Sequence, residues 1–205
     1  MLPPRLHLVT DARGSPELVR AARAALRRLP RGSAVVHVRA KQLGGRELLA
    51  LARAVGGACR AAGQLFVVND RLDVALASGA DGVHLPAAGV PPGEARGLLG
   101  CRLVGVSCHA AAEVRGARDG GADYVTFGPV FDTPSKRAYG APVGPGALRD
   151  AVALGLPVVA LGGVDAANAR VVMEAGAWGL AAIRAWLDAG DPAAAADTLL
   201  AALRG

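Results

Sequence analysis

A histidine stands where a buried strand gives way to a helix, in the segment VGVSCHAAAEV that runs from Val104 to Val114. Small apolar residues lead into Ser107, Cys108 and His109, and an alanine-rich stretch with helical periodicity follows. Imidazole titrates near neutral pH and also ligates metals, so His109 is a candidate acid–base catalyst or metal ligand, or else a cap or core residue. A nucleophilic Cys108–His109 pair is not expected, because adjacent residues of an extended segment point to opposite faces.

Other polar side chains also follow short apolar runs. They are Thr10 and Asp11, then His37, Arg39 and Lys41, then Asn69, Asp70 and Arg71, and finally His84. The second group alternates along the chain, and alternate residues of a strand share one face. Simpler interpretations exist: Asp70 could cap a helix that starts at Arg71, Arg39 and Lys41 could point into solvent, and the histidines could pack in the core. No spacing of His, Cys and carboxylates resembles a structural zinc site.

The ends of two further apolar segments suggest an anion site. Gly162 and Gly163 follow one apolar run, and Ile183 and Arg184 follow the next, where a short helix is predicted to begin. Glycines let the backbone approach a ligand closely, and main-chain N–H groups at the start of a helix bind anions. These four residues predict a phosphate site.

The segment 128–144 has glycines at both ends and resembles a loop that closes over a ligand. Thr133, Ser135 and Lys136 lie in its middle and offer hydroxyl groups and a cation to a phosphate. A rigid loop pinned by Phe131 and Tyr139 is the alternative.

The pattern that positions these residues alternates short β-type runs with amphipathic helical segments. Strands are predicted over 5–10, 34–39, 65–68, 82–85, 103–107, 124–128, 157–161 and 179–183. Helices are predicted over 15–29, 46–62, 71–78, 92–99, 110–119, 146–153 and 166–175, with a last helix that starts at Asp191-Pro192. Eight βα units without a linker predict a single (β/α)8 TIM barrel, of class α/β, over residues 1–205. A doubly wound open sheet is the alternative.

Composition narrows the classes of partner. The chain has 205 residues and a net charge of +6, with 52% apolar and 3% aromatic residues. Its arginines are scattered among alanines and stacking aromatics are scarce, so we expect a small anionic substrate and no nucleic acid. No apolar run reaches the ~20 residues of a membrane span, and the N-terminus has no signal-peptide layout. Cys59, Cys101 and Cys108 form no pair motif, so a soluble cytoplasmic protein without a membrane partner is expected.

Several segments in register resemble the thiamine phosphate synthase/TenI family from end to end. They are LVTD at 8–11, NDRLDVALASGADGVHLP at 69–86, GVSCH at 105–109, ADYVTFGPVFDTPSK at 122–136 and PVVALGGV at 157–164. The family has two main activities. The synthase joins a pyrimidine methyl diphosphate to a thiazole phosphate, with Mg2+ on the diphosphate. The TenI branch is a thiazole tautomerase, which aromatises a thiazole carboxylate phosphate by proton transfer.

The resemblance implies roles for particular residues and a homodimer. The pyrimidine-diphosphate positions of the synthase fall on Arg39, Lys41, Asn69, Asp70, Ser107 and Lys136. The thiazole-phosphate positions fall on Thr133, Ser135, Gly163, Ile183 and Arg184. His109 matches the catalytic histidine of the TenI branch, at a position where synthases often carry a histidine too.

Two departures from the synthase separate the branches. The synthase pattern Gln-x-Arg-Glu-Lys is HVRAK here, so that His37 and Ala40 replace Gln and Glu. The acidic second magnesium ligand after strand 4 of the synthase is Gly89 here, so a diphosphate–Mg2+ complex would rest on Asp70 alone. These features favour the TenI branch, although the retained NDR and TPSK motifs resemble the synthase.

The sequence therefore predicts a thiazole tautomerase in which His109 transfers the proton and no cofactor is needed. Its substrate is expected to contact His37, Arg39, Lys41, Asn69, Ser107, Thr133, Ser135 and Lys136, with the phosphate on Gly162, Gly163, Ile183 and Arg184. The alternatives are a thiamine phosphate synthase that uses Mg2+, held by Asp70, and a non-enzymatic relative that binds phosphate ligands.

Overall fold

Eight short apolar segments form one closed parallel barrel in the computed structural model, which describes residues 2–11, 15–134 and 141–204. The strands are β1 (Leu6–Val9), β2 (Ala34–Val38), β3 (Leu65–Asn69), β4 (Gly82–Leu85), β5 (Leu103–Cys108), β6 (Tyr124–Phe127), β7 (Val158–Leu161) and β8 (Gly179–Ala182). They lie side by side in chain order, and β1 closes the barrel against β8, with Leu6 opposite Leu180. The predicted (β/α)8 barrel is confirmed. The open sheet is wrong, because the first and last strands pair.

Each predicted helix is present in the described part of the chain, and all but α7 lie close to their expected bounds. The helices are α1 (Ser15–Arg28), α2 (Gly45–Ala62), α3 (Leu72–Ser78), α4 (Pro92–Leu99), α5 (Ala111–Asp119), α6 (Gly144–Val152), α7 (Ala169–Glu174), α8 (Arg184–Leu187) and α9 (Pro192–Ala202). Asp191 caps α9 as its position before Pro192 predicts, since its side chain accepts from the N–H groups of Ala193 and Ala194. None of the described helices is long and apolar enough to cross a bilayer.

The start of α7 differs from the prediction, because the helix begins at Ala169 and not at residue 166. Asp165 and Asn168 form a turn there instead. The Asp165 carboxylate accepts from the N–H groups of Ala167 and Asn168, and the Asn168 side chain accepts from the N–H of Asp165. Asp and Asn side chains that bond to nearby backbone compete with helix formation. The turn fixes the stretch that follows β7.

Strand residues alternate between two environments. One set, which includes Leu8, Val36 and Phe66, packs against the helices in the main hydrophobic core. The alternate set points into the barrel, as alternation along each strand requires. It contains a small apolar cluster around Val159 and Ala181 and several buried polar side chains, namely His7, His37, His84 and Thr126. The barrel interior is therefore partly polar directly beneath the strand ends.

Candidate functional site

His109 follows β5, and its ring lies against the chain that leaves β6. Its Nδ1 hydrogen-bonds to the carbonyl oxygen of Gly128, and because a carbonyl only accepts, this nitrogen carries a proton. The lone pair of the neutral ring is then on Nε2. Glu113 caps α5, since its carboxylate accepts from the N–H groups of His109 and Ala110. The exposed His109 is therefore neither cap nor core residue, and its Nε2 is suited to take and return a proton.

Cys108 points away from His109, as the sequence predicts. Its side chain is buried, while His109 is exposed. Burial, together with the nearby Glu113 carboxylate, raises the pKa of the Cys108 thiol to about 12. Only a thiolate is an effective nucleophile, so this thiol is inert near neutral pH.

Three histidines and a tyrosine fill the polar part of the interior. His7 Nδ1 lies 2.8 Å from His37 Nε2, and His7 Nε2 lies 2.9 Å from the carbonyl oxygen of Pro4. The rings of His37 and His84 are 4.7 Å apart between centroids. Burial lowers the pKa of His7 and of His84 to about 3 and that of His37 well below its ordinary value. All three imidazoles are therefore neutral near neutral pH.

The hydrogen bonds of His84 set the direction of the Ser107 hydroxyl. Tyr124 is fully buried, and its phenol can donate to Nδ1 of His84, 3.2 Å away. The proton of the neutral ring is then on Nε2, which lies 3.0 Å from Oγ of Ser107 and 3.1 Å from Oγ1 of Thr126. In this tautomer Ser107 accepts from the interior, so its own proton can be donated at the strand end. An anion bound there requires this orientation.

Asp70 occupies a strained turn at the end of β3. Its φ is 68°, the one positive value outside glycine among the described residues. The N–H of Arg71 bonds to the carbonyl oxygen of Asn69 at 2.8 Å, which closes a three-residue turn around Asp70. Asp70 does not cap α3, because Arg71 is the N-cap residue and no side chain bonds there. Strain of this kind clusters at functional sites, and the turn presents an exposed carboxylate.

The turn after β4 carries no carboxylate, since the N–H of Gly89 bonds to the carbonyl oxygen of Pro86 in a stretch of small residues. Within the described residues, no group of three or more His, Cys, Asp or Glu is arranged to hold a metal ion. Mg2+ usually binds through one or two carboxylates plus substrate phosphates and water. The exposed Asp70 fits such an ion. A Mg2+ site that rests on Asp70 alone, with the substrate diphosphate and water as the other ligands, is therefore chemically reasonable.

Gly162 and Gly163 must be glycine for a reason that the sequence does not reveal. Their φ values are 93° and 65°, a region that favours glycine. A Cβ on Gly162 would lie 2.5 Å from Cα of Pro129, and one on Gly163 would lie 2.7 Å from the carbonyl oxygen of Asp132. The space that was expected to admit a ligand is therefore occupied by the loop after β6. The glycines offer an anion their N–H groups only.

Gly163→Val is expected to destabilise the fold as well as the anion site. Valine would be strained at this positive φ, and its Cβ would displace the carbonyl of Asp132. Together these effects should lower the free energy of unfolding by about 3 kcal/mol, which corresponds to a fall of ~10 °C in Tm. Gly155→Val is the matched control, because Gly155 has a φ of 81° while a Cβ there meets nothing within 4 Å. Thermal unfolding should show the larger fall for Gly163→Val. Equal falls would mean that backbone strain alone acts.

Arg184 and Thr133 meet although they are far apart in the chain. Arg184 Nη2 donates to Oγ1 of Thr133 at 2.6 Å, and Thr133 is buried. Arg184 begins α8, with Ile183 as the N-cap residue. A guanidinium has five N–H donors and this bond uses one, so Arg184 can hold Thr133 and an anion together. The structure thus brings together two of the predicted phosphate contacts.

Arg39 and Lys41 follow β2 at the same end of the barrel. The Thr10 hydroxyl donates to the carbonyl oxygen of Arg39 at 3.1 Å and accepts from its N–H at 2.8 Å, which ties β2 to β1. Lys41 is exposed and Arg39 is half-buried. Because β2 pairs with β3, both cations follow a strand next to the one that leads into the turn around Asp70.

The remaining predicted contacts have different outcomes. Ser135 and Lys136 lie outside the described residues, as does the middle of the predicted lid. His37 lies in the barrel interior and is 1% exposed, so its contact with a substrate stays a prediction.

Sequence reasoning missed Asn168, although Asp and Asn at 165 and 168 are a turn signal. No sequence signal pairs Tyr124 with His84, which lie on different strands.

The family model described as thiamine monophosphate synthase, TMP-TENI, matches residues 6–186. This chain belongs to that family. Membership places it among the enzymes of thiamine biosynthesis, as the motifs at the strand ends imply.

Individual relatives are named for the synthase. A protein of Geobacter sulfurreducens named putative thiamine-phosphate synthase is 45% identical over 202 residues, covering 97% of this chain and 93% of the relative. A thiamine-phosphate synthase of Methanoculleus marisnigri is 46% identical over 202 residues, covering 95% of this chain and 92% of the relative. The solved thiamine phosphate pyrophosphorylase of Pyrococcus furiosus has a TM-score of 0.87 and 34% identity, covering 98% and 95%. These names weigh against the preference for the TenI branch.

Proposed function

We propose that the chain is a thiamine phosphate synthase, which joins a pyrimidine methyl diphosphate to a thiazole phosphate. This reverses the preference for the tautomerase that rested on His37 and Gly89. The observation that carries the proposal is the turn around Asp70, whose left-handed backbone presents an exposed carboxylate at the end of β3. Similarity over nearly the whole chain to proteins named synthases supports the same assignment.

In this proposal the diphosphate binds across the ends of β2, β3 and β5. Arg39 and Lys41 supply positive charge, Asn69 supplies amide donors, and Ser107 donates the hydroxyl proton that His84 directs towards the site. Asp70 would hold Mg2+, which would neutralise charge on the diphosphate and so make it a better leaving group.

The thiazole phosphate binds at the ends of β7 and β8, through the backbone at Gly163 and the Arg184–Thr133 pair. The thiazole nitrogen then faces the methylene carbon of the pyrimidine. A new N–C bond forms as the C–O bond to the diphosphate breaks, and the diphosphate leaves with the electron pair. The side chains contribute by holding the two substrates in reacting orientation.

A thiazole tautomerase is the second candidate, and two observations favour it. Gly89 replaces an acidic residue of the synthase pattern, and the bond from His109 to Gly128 directs the lone pair on Nε2 outwards. Such a group can move a proton between two atoms of a ring without a metal.

Two assays on the purified protein distinguish the candidates. The first mixes pyrimidine methyl diphosphate and thiazole phosphate with Mg2+ or with a chelator, and the second supplies the thiazole carboxylate phosphate tautomer without metal. We expect turnover in the first assay, with Mg2+ only. His109→Gln should lower that rate by less than ~10-fold, whereas a tautomerase would lose at least ~10²-fold. Turnover in the second assay alone rejects the synthase, and no turnover in either indicates a non-enzymatic relative.

A further inference from the structure

The turn after β7 clamps two carbonyl groups. The N–H of Phe131 donates to the carbonyl oxygen of Gly162 at 2.9 Å, and Nδ2 of Asn168 donates to that of Gly163 at 2.7 Å. Both peptides are trans, and the C=O and N–H of a trans peptide point in opposite directions. The N–H of Gly163 is therefore directed away from Phe131, and the N–H of Val164 is directed away from Asn168.

These two N–H groups are open. No residue in the described part of the chain accepts a hydrogen bond from either of them, although Val164 is only 5% exposed. A buried N–H group nearly always has a partner, so the unpaired donor of the buried Val164, with that of the half-buried Gly163 beside it, indicates a ligand that accepts hydrogen bonds. Gly163 also packs against Asp132, next to Thr133 and its bond to Arg184. An acceptor at this place would also meet a cation, as an anion requires.

The orientation of the Asn168 amide is fixed by its two partners. Oδ1 accepts from the N–H of Asp165 at 3.0 Å, while Nδ2 donates to Gly163. If Oδ1 and Nδ2 were exchanged, the amide NH2 would face the N–H of Asp165 and the amide oxygen would face the carbonyl oxygen of Gly163. Neither pair can form a hydrogen bond, so the orientation of the Asn168 amide is determined. The Asp165 carboxylate also accepts from the backbone N–H of Asn168, which holds the side chain in place.

We propose that Asn168 is a positioning residue for the phosphate group of the thiazole substrate. It touches no substrate, but it holds the carbonyl of Gly163 and thereby directs the N–H of Val164 towards the phosphate. The proposal rests on the thiazole-phosphate site of the proposed function and adds the residue that orients its main-chain donors. Without the amide, the Gly163–Val164 peptide can rotate and the donor is lost from the site.

Asn168→Ser tests this role. The hydroxyl can still accept from Asp165 but does not reach Gly163, so the turn is kept and the clamp is removed. Calorimetry should show binding of inorganic phosphate and of thiazole phosphate weakened by about tenfold, as for the loss of one well-placed donor. The KM for the pyrimidine diphosphate should change by less than ~2-fold. Asp191→Ala is the control, because it removes a similar side-chain cap from the start of α9, where no predicted substrate contact lies, and it should leave both affinities unchanged.

The outcomes separate this role from a structural one. Unchanged phosphate binding in Asn168→Ser, or equal losses for both substrates, overturns the proposal. If the variant does not fold, amide NMR signals of Gly163 and Val164 in the unaltered protein decide: they should shift when phosphate is added, and their constancy overturns it. If phosphate binding depends on Asn168 while no thiamine phosphate forms, the positioning role stands and the synthase assignment fails.

Discussion

Replacing Asp70 with Asn is expected to lower thiamine phosphate formation by at least ~10²-fold, or ~2.7 kcal/mol of activation free energy, because it removes the anionic ligand of Mg2+. Asn adopts the left-handed backbone more readily than most residues, so the turn should persist and Tm should change by less than ~2 °C. Steady-state rates at saturating substrates, together with thermal unfolding, measure the two effects separately.

Asp73→Asn is the matched control for Asp70→Asn. Asp73 is an exposed carboxylate on α3 that pairs with Arg71 at 2.5 Å, and surface ion pairs of this kind contribute little to stability. Its loss should leave the coupling rate unchanged. If Asp70→Asn keeps the parent rate, or if both variants lose rate equally, Asp70 does not hold the metal.

Mild acid should destabilise the fold strongly, because three histidines are buried in the neutral form. Burial lowers the pKa of His7 and of His84 from 6.5 to about 3, and it lowers that of His37 as well. Over this range the unfolded chain binds protons that the folded chain does not. The free energy of unfolding is therefore greatest above pH 6.5 and falls as the pH is lowered towards 3. At about pH 5, His7 and His84 each lower the free energy of unfolding by ~2 kcal/mol relative to its value above pH 6.5.

Urea unfolding at about pH 7.5, 6 and 5 measures this dependence. His84→Gln is the informative variant, since an amide can still bond to Tyr124 and Ser107 but does not titrate. Its stability should fall less steeply with acid than that of the parent. The same unfolding free energy for the parent at about pH 7.5 and 5 would contradict the neutral interior.

The barrel itself could be predicted from the sequence because each strand is a short apolar run between helical segments. Errors at the ends of elements have local causes. The start of α7 was misplaced because Asp165 and Asn168 bond to nearby backbone and form a turn, which hydrophobic periodicity does not detect. The short α8 was expected from Ile183-Arg184 and is present.

The candidate site could be predicted only in outline. The C-terminal ends of all eight parallel strands lie at one end of a barrel. His109, Asp70 and Arg184 follow such strand ends in the sequence and could therefore be assigned to the same end of the barrel. Which side chains touch depends on long-range packing, and the Arg184–Thr133 bond joins loops that sequence periodicity does not relate. The glycines show the same limit: Gly163 was expected to make room for a ligand, while the space that its missing side chain leaves is filled by the loop at Asp132.

The rate of thiamine phosphate formation, as Mg2+ is titrated into metal-free protein with both substrates in excess, tests the central claim most directly. The synthase assignment predicts no product in the presence of a chelator. It predicts a rate that rises with Mg2+ and saturates, with one diphosphate released for each thiamine phosphate formed. No product at any Mg2+ concentration, from protein that binds both substrates, would contradict it.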